Sequence, residues 1–181
     1  MKKHLLLPVL CAFLTIFASC EKKTDETTTP DEPKTTNVIK YNGQTINIAF
    51  AKIERGIVGG YTDKTTKDIS FSAMVSGKMY ELILEVVFPT DAGISGDYRH
   101  LFSIDQEEDG VTHFLHDMFS SFRIDDITME NPTEHYDFTS ADVKIKDKGN
   151  NNYDITFKLV CDNGKTVEGN YSGIVNSGLL L

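Results

Sequence analysis

The chain has 181 residues and a formal net charge of −9, with 27 acidic against 18 basic side chains. That balance, with no Lys/Arg cluster, excludes nucleic acid as an expected partner, because a net negative field repels polyanions. Three cysteines, two of them near the N-terminus, are too few for a disulfide-stapled fold, so stability must come from an apolar core, which 11 Phe and 7 Tyr can supply without any Trp.

Lys2 and Lys3 precede an apolar run from Leu5 to Ala18 that is short for a bilayer-spanning helix and closes in small residues. This is the pattern of a cleaved export signal over residues 1–19. Its removal takes the charge from −9 to −11, since it carries two lysines and no acidic group. From the residues alone, Cys20 is either an anchor point or, in a conventionally secreted protein, a small buried hydrophobe or a disulfide partner of Cys161. The tetrad Phe17-Ala18-Ser19-Cys20 resembles the lipobox of bacterial lipoproteins: Ala18, Ser19 and Cys20 match the small-small-Cys part, and Phe17 stands where Leu is common. The resemblance implies a diacylglycerol on the Cys20 thiol, cleavage just before it, and a membrane held as partner through that lipid. Acyl chains contribute roughly 0.8 kcal/mol per buried methylene, enough together for durable anchoring.

Residues 21–36, EKKTDETTTPDEPKTT, offer nothing to bury, so residues 20–36 read as a lipidated cysteine and an extended tether. Lys22, Lys23, Asp25 and Glu26 resemble the loose surface-export signal of Bacteroidetes lipoproteins. Outer-membrane attachment is what this implies, with the leaflet left open.

Residues 37–181 read as one β-rich domain. Asn42-Gly43 sits between alternating runs and predicts a type I′ hairpin pairing Tyr41 with Gln44 and Ile39 with Ile46, with Ile46, Ile48 and Phe50 on one face. Gly56, Gly59 and Gly60 predict a loop over 54–67. Ile69, Phe71, Ala73 and Val75 then alternate, as do Tyr80, Leu82, Leu84, Val86 and Phe88. A Gly77-Lys78 turn would set Val75 against Tyr80, Ala73 against Leu82 and Phe71 against Leu84. Ile83 and Val87 make the reverse face of that second strand partly apolar, which predicts burial under a second layer.

Pro89–Gly96 reads as a turn, followed by an extended path from Tyr98 to Ile104. Asp105, Glu107, Asp109 and Gly110 have the look of an EF-hand start, but His116 stands where the bidentate Glu belongs, so a solvated acidic loop is the expectation. Leu115, Met118, Phe119 and Phe122 form a short helical stripe. On a helix His113 and His116 would converge, with Asp117, His100 or His135 available as a third metal ligand; on a strand they would part. No metal and no cofactor is expected.

Asn131-Pro132 marks a turn, with a polar connection through Ser140. Val143 and Ile145 alternate with Asp142, Lys144 and Lys146, which reads as a strand with one side in solvent; at an edge its lysines would discourage intermolecular strand pairing. In the final hairpin a two-residue Asn163-Gly164 turn would bury the wrong side of the returning strand. A three-residue loop Asp162-Asn163-Gly164, with Gly164 left-handed in a G1 bulge, pairs Leu159 with Val167, Phe157 with Gly169 and Ile155 with Tyr171. It also turns Cys161 inward as a structural thiol.

The lipobox, Tyr41-Asn42-Gly43, and the segment from Gly149-Asn150-Asn151-Asn152-Tyr153 through Asp162-Asn163-Gly164-Lys165 to Gly169-Asn170-Tyr171-Ser172-Gly173 resemble the small lipoproteins of Bacteroidetes that carry an antiparallel β-sandwich behind a lipidated cysteine. The expected fold is therefore an all-β antiparallel sandwich with one short helix allowed, the alternative being a lipocalin-like β-barrel. No Gly-rich nucleotide loop and no Gly-x-Ser-x-Gly elbow occurs, so no catalytic residue is assigned. The reading is a lipid-anchored binding or accessory protein of the cell envelope, taking a surface glycan, a peptide or an envelope protein. Its alternatives are a self-associating structural protein, and an apolar-ligand carrier or hydrolase.

Overall fold

The computed structural model describes residues 36–56, 62–101, 111–128, 131 and 133–178, all within one compact unit. The leader, Cys20, the tether through residue 35 and the acidic stretch 105–110 lie outside the described residues.

β1 (Val38–Tyr41) and β2 (Gln44–Asn47) form the expected hairpin, with Tyr41 opposite Gln44 and Ile39 opposite Ile46. Asn42 and Gly43 take φ of 48° and 78°, as a type I′ turn demands. After β2 the chain turns a corner at Ile48-Ala49 and enters β3 (Phe50–Arg55), where the Ala49 N–H donates to the Ser72 carbonyl. The corner resets which side chains point inward. Ala51 and Ile53 are buried, whereas Phe50, expected on the core face, is 47% exposed.

β4 (Lys64–Val75) and β5 (Lys78–Pro89) form the longest hairpin. Its turn is Ser76-Gly77, both at positive φ, so Ala73 meets Tyr80 and Phe71 meets Leu82. The expected Gly77-Lys78 turn misplaced each partner by two positions. A slip of two keeps every side chain on its face, so the expected core set holds except for Val75, which is exposed beside the turn. β4 also begins at Lys64, inside the stretch expected to be a loop.

Four short elements follow: β6 (Gly96–Leu101), β7 (Phe114–His116), a single 3-10 turn (Asp117–Phe119) and β8 (Ser121–Asp126). The expected helical stripe reduces to that turn, with Leu115 and Phe122 buried from strands and Met118 77% exposed. β9 (Glu134–Asp147) starts within the supposed polar connection. Far from being an edge, it pairs with β10 (Asn152–Cys161) on one side and with β6 and β8 on the other. β11 (Thr166–Ile174) returns in the predicted register, with Leu159 opposite Val167, Phe157 opposite Gly169 and Gly164 at φ 77°. A short β12 (Asn176–Ser177) lies parallel to β3.

Pairing runs β12-β3-β4-β5-β7-β6-β9-β10-β11-β1-β2, and β8 bridges β5 to β9. The strands β5, β7, β6, β9 and β8 therefore close a ring, with the remaining strands as extensions. The expected sandwich gives way to an all-β fold nearer its barrel alternative. The cause is strand length: β5 pairs β8 over Lys78–Ile83 and β7 at Val86 and Val87, while β9 pairs β8 near its start and β6 further on.

Curling brings distant strands face to face across one apolar interior. Phe71 of β4 lies 5.8 Å from the Phe157 ring of β10 and 5.4 Å from that of Tyr171 on β11. Tyr41 of β1 lies 4.8 Å from Phe122 of β8. Val87, Leu101 and Phe114 form a smaller cluster on the reverse face of β5, as its apolar reverse side predicted. Gly169 sits between Ile39 and Phe157 in register, and a methyl there would collide with the Val38 carbonyl oxygen and the Phe157 ring. Gly169→Ala should therefore lower stability by about 2–3 kcal/mol in denaturant unfolding; an unchanged midpoint would show that the β1–β11–β10 packing is misread.

Candidate functional site

Three hairpin turns meet at one end of the molecule. The β1–β2 turn, the β4–β5 turn and the residues after β10 together line a cleft of about 310 Å³ whose walls include Tyr41, Gln44, Val75, Tyr80, Ile124 and Lys165. Tyr41, Tyr80 and Ile124 are at most 6% exposed and form an apolar floor, and Val75, at 39%, stands on the rim. The floor rests on an aromatic stack, since Phe122 lies 4.8 Å from Tyr41 and 6.4 Å from Tyr80 and Tyr136. A second cleft of about 360 Å³ on the other side of the first turn shares Tyr41, Asn42 and Gln44.

Polar groups on the walls are held by specific bonds. The Tyr80 hydroxyl donates to Gln44 Oε1 at 3.2 Å, and Asn163 Nδ2 donates to the Tyr41 hydroxyl at 3.3 Å. The Tyr136 hydroxyl donates to Glu134 Oε2 at 2.5 Å, and that bond, ahead of other causes, raises the Tyr136 pKa. Lys78 stands 3.7 Å from Glu134 Oε1, and Lys165 Nζ lies 5.5 Å from the centre of the Tyr41 ring. Chemically, the cleft can hold an apolar group against aromatic faces while presenting polar groups at its mouth.

The residues weighed for metal binding are dispersed. His116 ends β7 and lies beside Glu85, whereas His113 falls just before that strand. His113 packs edge-on against Tyr98, 5.2 Å between ring centres, with Nε2 3.3 Å from the Gly93 carbonyl, while His135 is exposed beside Asp137. Among the described residues no group of three or more His, Cys, Asp or Glu side chains could hold a metal ion. Cys161 is buried and free, and burial pushes its thiol up to about 11. Alkylation of the Cys161 peptide, followed by mass spectrometry at pH 8, should therefore be slow in the native protein and fast in urea. Equal rates would contradict the inward placement.

A polar row, buried only at its Glu85–His116 end, is not apparent from the sequence. Glu54 pairs with Asp68, and Asp68 with Glu85, across β3, β4 and β5; His116 of β7 continues the row, with Nδ1 3.8 Å from Glu85 Oε2. Glu85 is fully buried and His116 is 5% exposed, while Ser120 Oγ accepts from the Glu85 N–H at 3.0 Å. Strict alternation beside Ile83 and Val87 was the available signal, because the face that buries Val87 must also bury Glu85. Desolvation first, then the charges of Glu85 and Glu54, push Asp68 up to about 6. An acid with a folded pKa above its unfolded value holds its proton more tightly in the native state, so stability rises as pH falls through 6 toward 3.8. Asp68→Asn should accordingly be more stable than the parent at pH 8, with the advantage shrinking through pH 6 and gone by pH 4. Thermal melts across that range check it, and a constant difference would sink the assignment.

Compared with known proteins, the chain matches no family model, no curated protein and no solved structure. What stands is a barrel-like all-β fold with a buried apolar and aromatic interior.

Proposed function

We propose that the protein is a ligand carrier, held to the outer membrane by a lipid on Cys20, that takes the apolar part of a small molecule into the cleft at the hairpin end. The observation that carries the binding reading is the aromatic floor of Tyr41 and Tyr80 beside Ile124 where the turns meet. An apolar tail laid there gains free energy at about 25 cal/mol per Å² of its own surface covered, the floor being already buried, and rigid rings lose little entropy in receiving it. Support for the anchor comes from the sequence: two lysines, a short apolar run and small residues before Cys20, then a solvated tether. The tether from Cys20 to Asn37 would let the domain stand clear of the bilayer.

Both halves have direct tests. Titrating 1-octanol into isotope-labelled protein should shift the backbone resonances of Tyr41, Val75, Tyr80 and Ile124 ahead of all others; shifts elsewhere, or none, would remove the cleft from consideration. Cys20→Ser should abolish incorporation of labelled fatty acid and retention in the membrane fraction, and persistence of the lipidated species would refute the anchor.

A further inference from the structure

Resting on the reading of this cleft as a binding site, we infer that its ligand is a carboxylate-headed amphiphile, with the head read by Lys165 and Lys78 and the tail lying on the Tyr41–Tyr80–Ile124 floor. The chain as a whole is acidic, at −9, yet this mouth is walled by two ammonium groups and one carboxylate. That one carboxylate, Glu134, is already engaged by Lys78 and by the Tyr136 hydroxyl. Asp126, opposite Lys78 in register, accepts from Thr128 and Asn131, which hold it low at about 2. Among the described residues Lys165 has no carboxylate at ion-pair distance; its ammonium sits over the face of Tyr41, which orients the charge without neutralising it.

The uncharged groups point the same way. Gln44 Oε1 is occupied by the Tyr80 hydroxyl, which leaves the Gln44 amide N–H groups to donate. The Tyr41 hydroxyl accepts from Asn163 and is bonded to Tyr136 as well, so it braces this wall. A wall of donors around an uncompensated cation suits a group that only accepts, and a carboxylate does so without a proton of its own. A neutral alcohol fills fewer of these bonds, and an alkylammonium meets like charge.

Octanoate, 1-octanol and octylammonium share one tail and differ in head charge, so titrating each into the full chain carrying Cys20→Ser separates the head from the tail. Octanoate should bind roughly tenfold more tightly than 1-octanol, with octylammonium weakest, each read from the resonances of Tyr41, Tyr80 and Ile124. The preference for octanoate over 1-octanol should vanish in Lys78→Gln/Lys165→Gln, survive in Lys165→Arg and weaken with added salt. Equal affinity for octanoate and 1-octanol, or a preference that persists in the double glutamine variant, overturns the carboxylate inference and leaves the cleft standing as an apolar site. No response at those residues to any of the three overturns both.

Discussion

The arrangement depends on what β5 does along the edge that β4 leaves free. A strand of this length facing a single partner would give an ordinary meander; here β8 takes the first half of that edge and β7 the second. β9 divides its own edge the same way between β8 and β6. Backbone N–H and C=O groups must find partners when buried, and two long strands that split to accept different neighbours satisfy them only if the intervening strands close the ring. Closure then decides which faces look inward, which strands oppose each other across the core, and which turns gather at one end.

Local chemistry made the turns legible and left their assembly hidden. Asn42-Gly43 and Asp162-Asn163-Gly164 were readable because each needs left-handed backbone that few residues supply, and in each case the hydrophobic alternation agreed with one loop length only. At Ser76-Gly77-Lys78 the alternation is equally content with two registers a pair of residues apart, so it could not separate them, and Ser76 at φ 50° is an unadvertised left-handed residue. The N-terminal half of β9 was hidden for another reason. Glu134 to Ser140 is polar because most of its side chains face solvent, while its backbone is fixed by β8 and then β10, and a sequence displays side chains rather than pairing partners.

The cleft was invisible for the same cause on a larger scale. Its lining comes from β1, β2, β4, β5, β8, β9 and the loop after β10, and no two of its turns are close in the chain. Tyr41 and Tyr80 each read as one apolar step in an alternating strand. That they share a floor follows only from the curl that sets Phe122 between them, and that Lys165 hangs over Tyr41 follows from the three-residue loop that ends the outgoing strand at Cys161, one residue earlier than a two-residue turn would.

That loop ties the register of the core to the chemistry of the mouth. With Gly164 in the bulge, Cys161 and Leu159 turn inward and Val167 meets Leu159; Lys165, directly after the bulge, is carried to the rim, and Asn163 reaches back to the Tyr41 hydroxyl. A two-residue turn would have put Thr166 opposite Cys161 and Glu168 opposite Leu159, burying a carboxylate against an apolar face, which costs several kcal/mol unless it is neutralised. The apolar interior therefore selects the loop, and the loop supplies the cation at the cleft. The binding end of the domain is in this sense a by-product of core packing: the rim cation is positioned by the demand that Val167 be buried, before any ligand has to be considered.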